Sequence, residues 1–143
     1  MVTSNDCIKK YGTPDIHMER KHLELWDIPA EINKAIPELP NRLYCNKALK
    51  APFLLAFQNL IKQDLACQIM TWDGCFNIRK KKGGSTYSLH SWAIAIDINA
   101  AWNGFGATPQ MPAEVVKCFT DAGFDWGGTW SKKDGMHFQL SKI

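Results

Sequence analysis

The sequence predicts an α+β fold in which flanking helices cover a central antiparallel sheet. Two segments carry apolar side chains at helical spacing, several short runs have strand-like composition, and an Asp-Gly pair separates two of those runs. The 143 residues are enough for one hydrophobic core but too few for two. Because no linker or internal repeat interrupts the chain, we expect residues 1–143 to form a single domain.

The N-terminal part of the chain predicts only short elements. Residues 1–25 are polar and mixed in charge, which predicts an N-terminal arm or short helix packed on the domain surface. Pro29 and Pro37 leave room for a short helix over residues 30–36, and residues 42–46 have the composition of a strand.

Two longer helices are predicted from the spacing of apolar residues. The first runs from Pro52 to Asp64, and Pro52 suits the first turn of a helix. Its apolar side chains are Phe53, Leu54, Phe57, Leu60 and Ile61. The second begins at Pro112 and ends before Gly123. We expect the first of these helices to back the core.

Strands are predicted in the middle and at the end of the chain. Residues 67–72 and 75–79 are strand-like, and Asp73-Gly74 between them is a strong turn signal, so we predict an antiparallel hairpin. Residues 92–98 alternate strictly between larger apolar and other side chains, which indicates a strand with one apolar face. Residues 135–140 are predicted to close the chain as another strand.

Composition and charge limit the classes of function. The chain is 45% hydrophobic and 22% charged, with a net charge of +3, as expected of a globular rather than a disordered or fibrous protein. The basic run at residues 79–82 could favour an acidic polymer such as a cell-wall glycan, but a solvated loop beside Gly83-Gly84 has more weight. Without interleaved aromatic residues it is weak evidence for nucleic acid, so no nucleic-acid partner is expected.

Cysteine usage and the N-terminus predict the cellular setting. The five cysteines are widely spaced and contain no CxxC pair, so neither a disulfide framework nor a cysteine-rich zinc site is indicated. No signal peptide and no span of membrane length is found. We therefore expect synthesis in the cytoplasm, no stable membrane association, and a monomer.

An acidic side chain lies in an unusual place in the strand predicted over residues 92–98. Asp97 shares its face with Ala93 and Ala95, whose small side chains leave room for a ligand. His90 precedes Asp97 by seven positions, an odd separation that points the two to opposite faces of a flat strand. A turn or bulge near Ser91 is required to bring them together.

A third candidate ligand lies in the last strand. His137 alternates out of a run whose other side chains are apolar, and Gln139 shares its face. Two imidazoles and a carboxylate are ligands that zinc prefers, and three protein ligands with one open position are typical of catalytic zinc. The sequence therefore predicts a zinc site made by His90, Asp97 and His137.

Two further residues are candidates for the chemistry. Asp134, three residues before His137, is placed to take a proton from water and pass it to the leaving amine. Arg79 could orient a substrate carboxylate or the carbonyl on which negative charge develops. Each has a plainer interpretation: Asp134-Gly135 as an ordinary turn, and Arg79 as a solvated strand end. His17 and His22 are expected to be structural.

Two separated motifs resemble the D-alanyl-D-alanine carboxypeptidase and L-alanyl-D-glutamate endopeptidase family. The run from Ser88 to Asp97 resembles the SxHxxGxAxD signature, and Asp134-Gly135-Met136-His137 with the preceding Trp126-Gly127-Gly128 resembles the closing motif. The resemblance covers most of the chain from about Leu43 onward. It is closest to the short, single-domain peptidases that phages encode as endolysins.

The resemblance implies a fold and roles for particular residues. The fold is the α+β arrangement shared with hedgehog domains, and the zinc ligands carry over to His90, Asp97 and His137. Asp134 would be the catalytic base. Arg79 and Ser88 match family positions near the substrate, and the flat indole of Trp130 could line a peptide groove. 

One position departs from the signature. Ala93 stands where the pattern has glycine, and its methyl group restricts positive φ. The bend is therefore expected at Ser91 or Trp92, unless the local geometry differs from that of the family.

The function expected from these observations is zinc-dependent hydrolysis of a peptide bond in the stem peptides of bacterial peptidoglycan. The bond is either L-Ala-D-Glu or D-Ala-D-Ala, and a phage endolysin would reach the wall through membrane holes made by another protein. A cytoplasmic dipeptidase or recycling enzyme remains open. So do a non-catalytic zinc-bearing binding module on the same scaffold and a metal-free structural protein.

Overall fold

A computed structural model describes residues Met1–Ile143 and contains five α-helices and six strands. The helices are α1 (Ser4–Tyr11), α2 (Ile16–His22), α3 (Ala30–Ala35), α4 (Lys50–Lys62) and α5 (Ala113–Thr120). The strands are β1 (Leu23–Asp27), β2 (Arg42–Asn46), β3 (Trp72–Gly74), β4 (Ala95–Ile98), β5 (Phe124–Trp126) and β6 (His137–Leu140). They form two antiparallel sheets, which confirms the predicted α+β class.

The larger sheet has the strand order β3-β4-β6-β5. Its two central strands pair Ile96 with Phe138, and both side chains are fully buried. Phe119 of α5 stacks on Phe138 at 4.4 Å between ring centroids and meets Phe57 of α4 edge to face at 5.4 Å. The helices α4 and α5 therefore cover one face of the sheet. They do not cover the side chains on the opposite face.

The predicted helices are largely confirmed. The short helix α3 and strand β2 lie where the sequence placed them. Helix α4 begins at Lys50, so Pro52 stands in its first turn as expected, and α5 begins directly after Pro112. None of the helices combines the length and apolar character needed to cross a bilayer.

The N-terminal segment has more structure than the arm or short helix expected over residues 1–25. A capping box between Thr3 and Asp6 starts α1, and the Asp15 side chain caps α2. The chain then enters β1, which pairs with β2 from Leu23↔Asn46 onward. The strand was missed because its pattern is short and follows a polar helix.

The predicted hairpin over residues 67–72 and 75–79 is wrong. Only Trp72–Gly74 forms a strand, and it pairs with β4 instead. The Asp73 carboxylate accepts hydrogen bonds from Thr71 and from the Ala100 amide, which holds Asp73 beside β4 rather than in a tight turn. Residues 75–79 then run alongside the segment that carries His90, because the Asn77 amide donates to the His90 carbonyl at 3.1 Å.

All five cysteines are free. Cys67 is exposed, and the others are buried. Burial raises the pKa of the Cys7 and Cys45 thiols to about 12, so both are inert apolar side chains at neutral pH.

Candidate metal centre

A sharp turn brings His90 toward β4. Residues Leu89–Trp92 form a 3₁₀ helix, and Ala93 follows in the left-handed conformation with φ 54° and ψ 38°. The turn confirms the bend required near Ser91. The expectation that Ala93 would avoid positive φ is wrong: Ala93 adopts it although its Cβ disfavours that conformation.

Hydrogen bonds hold this turn from two sides. On one side, Asn46 at the end of β2 donates its backbone amide to the Ala93 carbonyl and its side-chain amide to the Trp92 carbonyl, both at 3.2 Å. On the other, the Ser91 hydroxyl donates to the Arg79 carbonyl at 3.1 Å and accepts from the Arg79 amide at 3.2 Å. These contacts compensate for the strained backbone at Ala93.

The sheet register supplies the other two members of the cluster. Asp97 on β4 is the direct partner of His137 on β6, and Ala95 is the partner of Gln139. Side chains of directly paired residues lie on the same face of a sheet. Asp97, His137 and Gln139 therefore share the face opposite to Ile96 and Phe138.

The structure brings together the three residues predicted as metal ligands. His90 Nε2 lies 3.2 Å from Asp97 Oδ2, and His137 Nδ1 lies 3.4 Å from Asp97 Oδ1. The two ring nitrogens are 3.2 Å apart. One ligand atom from each residue falls within 4.8 Å of the others, and both histidines are buried.

Hydrogen bonds on the outer side of each imidazole fix its tautomer. His90 Nδ1 lies 2.7 Å from the Cys75 carbonyl, which only accepts, so Nδ1 carries the hydrogen and Nε2 offers its lone pair to the cluster. His137 Nε2 lies 3.0 Å from Gln139 Oε1, which leaves Nδ1 as the atom with the lone pair. Such outer partners orient metal-binding histidines.

The donor set fits a divalent cation. With neutral imidazoles, two lone pairs and a carboxylate point at one another, and Asp97 Oδ1 is buried without a hydrogen-bond partner. A buried acceptor of this kind is unfavourable unless a proton or a cation lies beside it. Two imidazole nitrogens and a carboxylate oxygen are ligands of zinc.

The electrostatics of the cluster favour its charged form. Burial alone would raise the pKa of Asp97, but the two imidazoles that face it outweigh burial and hold that pKa well below its usual range. Burial would likewise lower the pKa of His90, but the Asp97 carboxylate outweighs it and raises that pKa. Protons and a metal ion therefore compete for the same three side chains.

Asp134 lies beside the cluster. Its Oδ2 atom is 3.9 Å from His137 Nδ1. The Asp134 amide donates to the Gly127 carbonyl at 3.0 Å, and a Cβ on Gly127 would lie 2.5 Å from the Asp134 carbonyl oxygen. Burial, assisted by the negative charge of Asp97, raises the pKa of Asp134 although His137 opposes this. Gly127 is therefore needed for the close approach that positions Asp134.

Arg79 lies at the edge of the site. Its side chain is exposed, and its Nη1 atom donates to the Lys80 carbonyl at 3.4 Å. The pKa values of His90 and Asp134 are both raised, and the positive charge of Arg79 opposes each shift to a small extent, so the guanidinium acts on the cluster through space without contacting it.

The predicted substrate-binding residues differ in their surroundings. Ser88 is buried, and its hydroxyl accepts a hydrogen bond from the His90 amide, so it caps the turn that carries His90. The ring of Trp130 is half-buried and lies 5.3 Å from the His137 ring. Trp126 belongs to the packed interior, where it stacks on Phe138 and donates from Nε1 to the Gly135 carbonyl.

The remaining two histidines lie away from the cluster. His17 and His22 line a cleft between α1 and α2 and are not members of the cluster. Sequence reasoning missed the roles of Gln139 and Gly127. Strict alternation in the last strand placed Gln139 on the face of His137, and the glycine pair of the closing motif was the signal at Gly127, but neither signal identified the contact that the residue makes.

Comparison with known proteins adds one match. Residues 82–140, less than half of the chain, match the family model described as D-alanyl-D-alanine carboxypeptidase. The matched segment contains His90, Asp97, Asp134 and His137. No curated protein and no solved structure gave a match. The match supports the family indicated by the two motifs, and with it a peptidase that has a His-Asp-His cluster suited to a metal ion.

Proposed function

We propose that this protein is a zinc-dependent peptidase that cleaves a peptide bond in the stem peptides of bacterial peptidoglycan. The observation that carries the proposal is the convergence of His90, Asp97 and His137, with one acceptor atom of Asp97 left unpartnered. Zinc held by these residues would polarise the scissile carbonyl and activate water at neutral pH.

Asp134 is proposed as the group that accepts the proton from the attacking water and returns it to the leaving amine. Its carboxylate lies beside His137 on the side that faces the cluster. A pKa raised above the ordinary aspartate value suits a group that must both take and release a proton near neutral pH.

The rim of the site favours a substrate that carries negative charge. We propose that this rim consists of six cationic residues on the segments that precede His90 and Asp134 in the chain: Arg79, Lys80, Lys81, Lys82, Lys132 and Lys133. None of them forms an ion pair. Lys82 and Lys132 instead lie over the ring of Phe105, at 5.6 Å and 4.9 Å from its centroid. Stem peptides with free carboxylates match this charge, and we propose Arg79 as one of the groups that orients them.

Two neutral side chains are proposed to complete the substrate site. Trp130 offers a flat, half-buried ring beside His137 against which a peptide can pack. The Ser88 hydroxyl accepts from the His90 amide, so its own hydrogen is free to donate to a bound peptide.

The bond cleaved is proposed to be L-Ala-D-Glu or D-Ala-D-Ala. A phage endolysin that acts as a monomer, released to the wall through holes made by another protein, is the setting we propose, and the similarity of the two motifs to short phage peptidases supports it.

The test is digestion of purified sacculi by the zinc-loaded protein, with mass spectrometry of the released fragments. We expect new amino and carboxyl termini at one of the two bonds, and a fall of about 10²–10⁴-fold in rate for Asp134→Asn. If Asp134→Asn digested sacculi at the wild-type rate, its proposed role would be wrong. A zinc-loaded protein that bound sacculi and released no peptide would instead be a binding module.

A further inference from the structure

The N-terminal segment contacts both parts of the chain that carry the histidines. The Ser4 hydroxyl donates to the Tyr87 carbonyl, and the Gly12 carbonyl accepts from the indole of Trp92 at 2.8 Å. The Val2 carbonyl accepts from the Gln139 side-chain amide at 3.2 Å. Residues 2–12 lie outside the segment that matches the family model.

The contact at Val2 determines which way the Gln139 amide faces. A backbone carbonyl only accepts, so the NH₂ group of Gln139 must point to Val2 and Oε1 must point to His137. Oε1 in turn only accepts, so His137 carries its hydrogen on Nε2. Val2, Gln139 and His137 are all buried, so water does not readily replace either hydrogen bond.

We propose that Gln139 is a positioning residue of the metal centre, and that the Val2 carbonyl holds it in the orientation that presents His137 Nδ1 to the ion. We call the two hydrogen bonds from Val2 through Gln139 to His137 the relay. Without the relay the His137 ring loses its outer hydrogen bond and can rotate or change tautomer. The inference rests on the proposed zinc site. Removal of such an outer partner typically weakens metal binding about 10–100-fold.

The first test replaces Gln139 and measures zinc affinity by competition with a chromogenic chelator. Gln139→Met removes the acceptor at similar size, and we expect a loss of about 10–100-fold in affinity. Gln139→Glu loses the bond to Val2 but presents an acceptor to His137 Nε2 in either orientation, so it is expected to bind zinc more tightly than Gln139→Met does. Asn59→Leu is the matched control. The Asn59 side-chain amide also donates to a backbone carbonyl, that of Cys118 at 3.1 Å, but this bond lies outside the cluster.

The second test removes the Val2 carbonyl. A chain in which methionine directly precedes Thr3, released from a cleavable N-terminal tag so that this methionine is retained, keeps a carbonyl at position 2 and should bind zinc as the wild type does. A chain with the initiator methionine directly before Ser4 lacks it and should bind more weakly. Thr3→Ala in the full chain controls for loss of the helix cap, since it removes the Thr3 hydroxyl without changing the Val2 carbonyl.

The outcomes separate this inference from the proposed function. If the wild type binds zinc and Gln139→Met binds it within about twofold, the relay is wrong and the zinc site stands. If Gln139→Met does not fold, equal affinities in the two shortened chains overturn the relay on their own. If the wild type itself does not bind zinc, the proposed function fails first.

Discussion

Asp97 and His137 face each other as a direct pair across the two central strands, with 3.4 Å between Asp97 Oδ1 and His137 Nδ1. Their spacing is therefore set by the register of β4 against β6. A slip of one residue would move either side chain to the face covered by α4 and α5. The same packing that buries Ile96 and Phe138 thus fixes two of the three candidate ligands.

Substitution of Gly127 is predicted to impair catalysis without removing the metal. A Cβ on Gly127→Ala would lie 2.5 Å from the Asp134 carbonyl oxygen, so the Asp134 segment must shift. A displacement of about 1 Å can lower a rate about 10²-fold. In this variant the steady-state rate should therefore fall while the zinc content stays at the wild-type value. Gly104→Ala, where an added Cβ meets nothing within 4 Å, is the control and should match the wild type.

Substitutions at Ala93 are predicted to follow its left-handed backbone. Ala93→Val places a β-branched side chain at positive φ in a fully buried site, and we expect a loss of about 2–4 kcal/mol in the free energy of unfolding. Ala93→Gly relieves strain but loses a buried methyl group and is expected to stay within about 1 kcal/mol of the wild type. Urea unfolding measures both, and a Val variant as stable as the wild type would contradict the assigned conformation.

The metal-free protein is predicted to lose stability as the pH rises from about 6.5, the ordinary histidine pKa, through the raised pKa of His90. The Asp97 carboxylate outweighs burial and raises the pKa of His90 above its unfolded value. When folding raises the pKa of a group, the resulting stability is fully present below the pKa of that group in the unfolded chain. It is lost as the pH rises through the pKa of the group in the folded protein. Urea midpoints of chelator-treated protein should fall more steeply in the wild type than in His90→Gln. Parallel slopes would argue against the contact between His90 and Asp97.

The cationic rim is predicted to increase activity on charged cell wall. The double variant Lys82→Glu with Lys132→Glu should lower kcat/KM on sacculi about tenfold at low ionic strength. The difference should shrink at about 1 M salt, where the screening length is about 3 Å. Lys34→Glu with Lys62→Glu, on α3 and α4, makes the same change of charge outside these loops. Equal losses in both pairs would show that net charge alone is responsible.

The candidate site was more predictable from the sequence than parts of the fold. Asp97 and His137 were identifiable because each departs from an otherwise apolar strand in which strict alternation shows the face of each residue. His90 was identifiable from its spacing to Asp97 and from the resemblance of residues 88–97 to a family signature. The odd separation of His90 and Asp97 required a turn, which the structure places at residues 89–93. The positive φ of Ala93 was not predictable, because the hydrogen bonds that compensate for its strained backbone come from segments distant in the sequence.

The errors in the fold have a common physical origin. An Asp-Gly pair favours a hairpin locally, but β4 offers residues 72–74 a partner in the core sheet, and tertiary pairing prevailed. Strand β1 likewise forms because β2 is available to it, not because its own pattern is strong. The contact of Val2 with Gln139 joins opposite ends of the chain and has no local signal.

The most direct test of the account is zinc stoichiometry after chelation and readdition, measured by elemental analysis on the wild type and on His90→Ala, Asp97→Ala and His137→Ala. The account predicts one zinc ion per wild-type chain and loss of stoichiometric zinc in each variant that remains folded. A wild-type chain that retains no zinc, or a folded His137→Ala chain that still holds one equivalent, would contradict the central claim that these three side chains share a single ion.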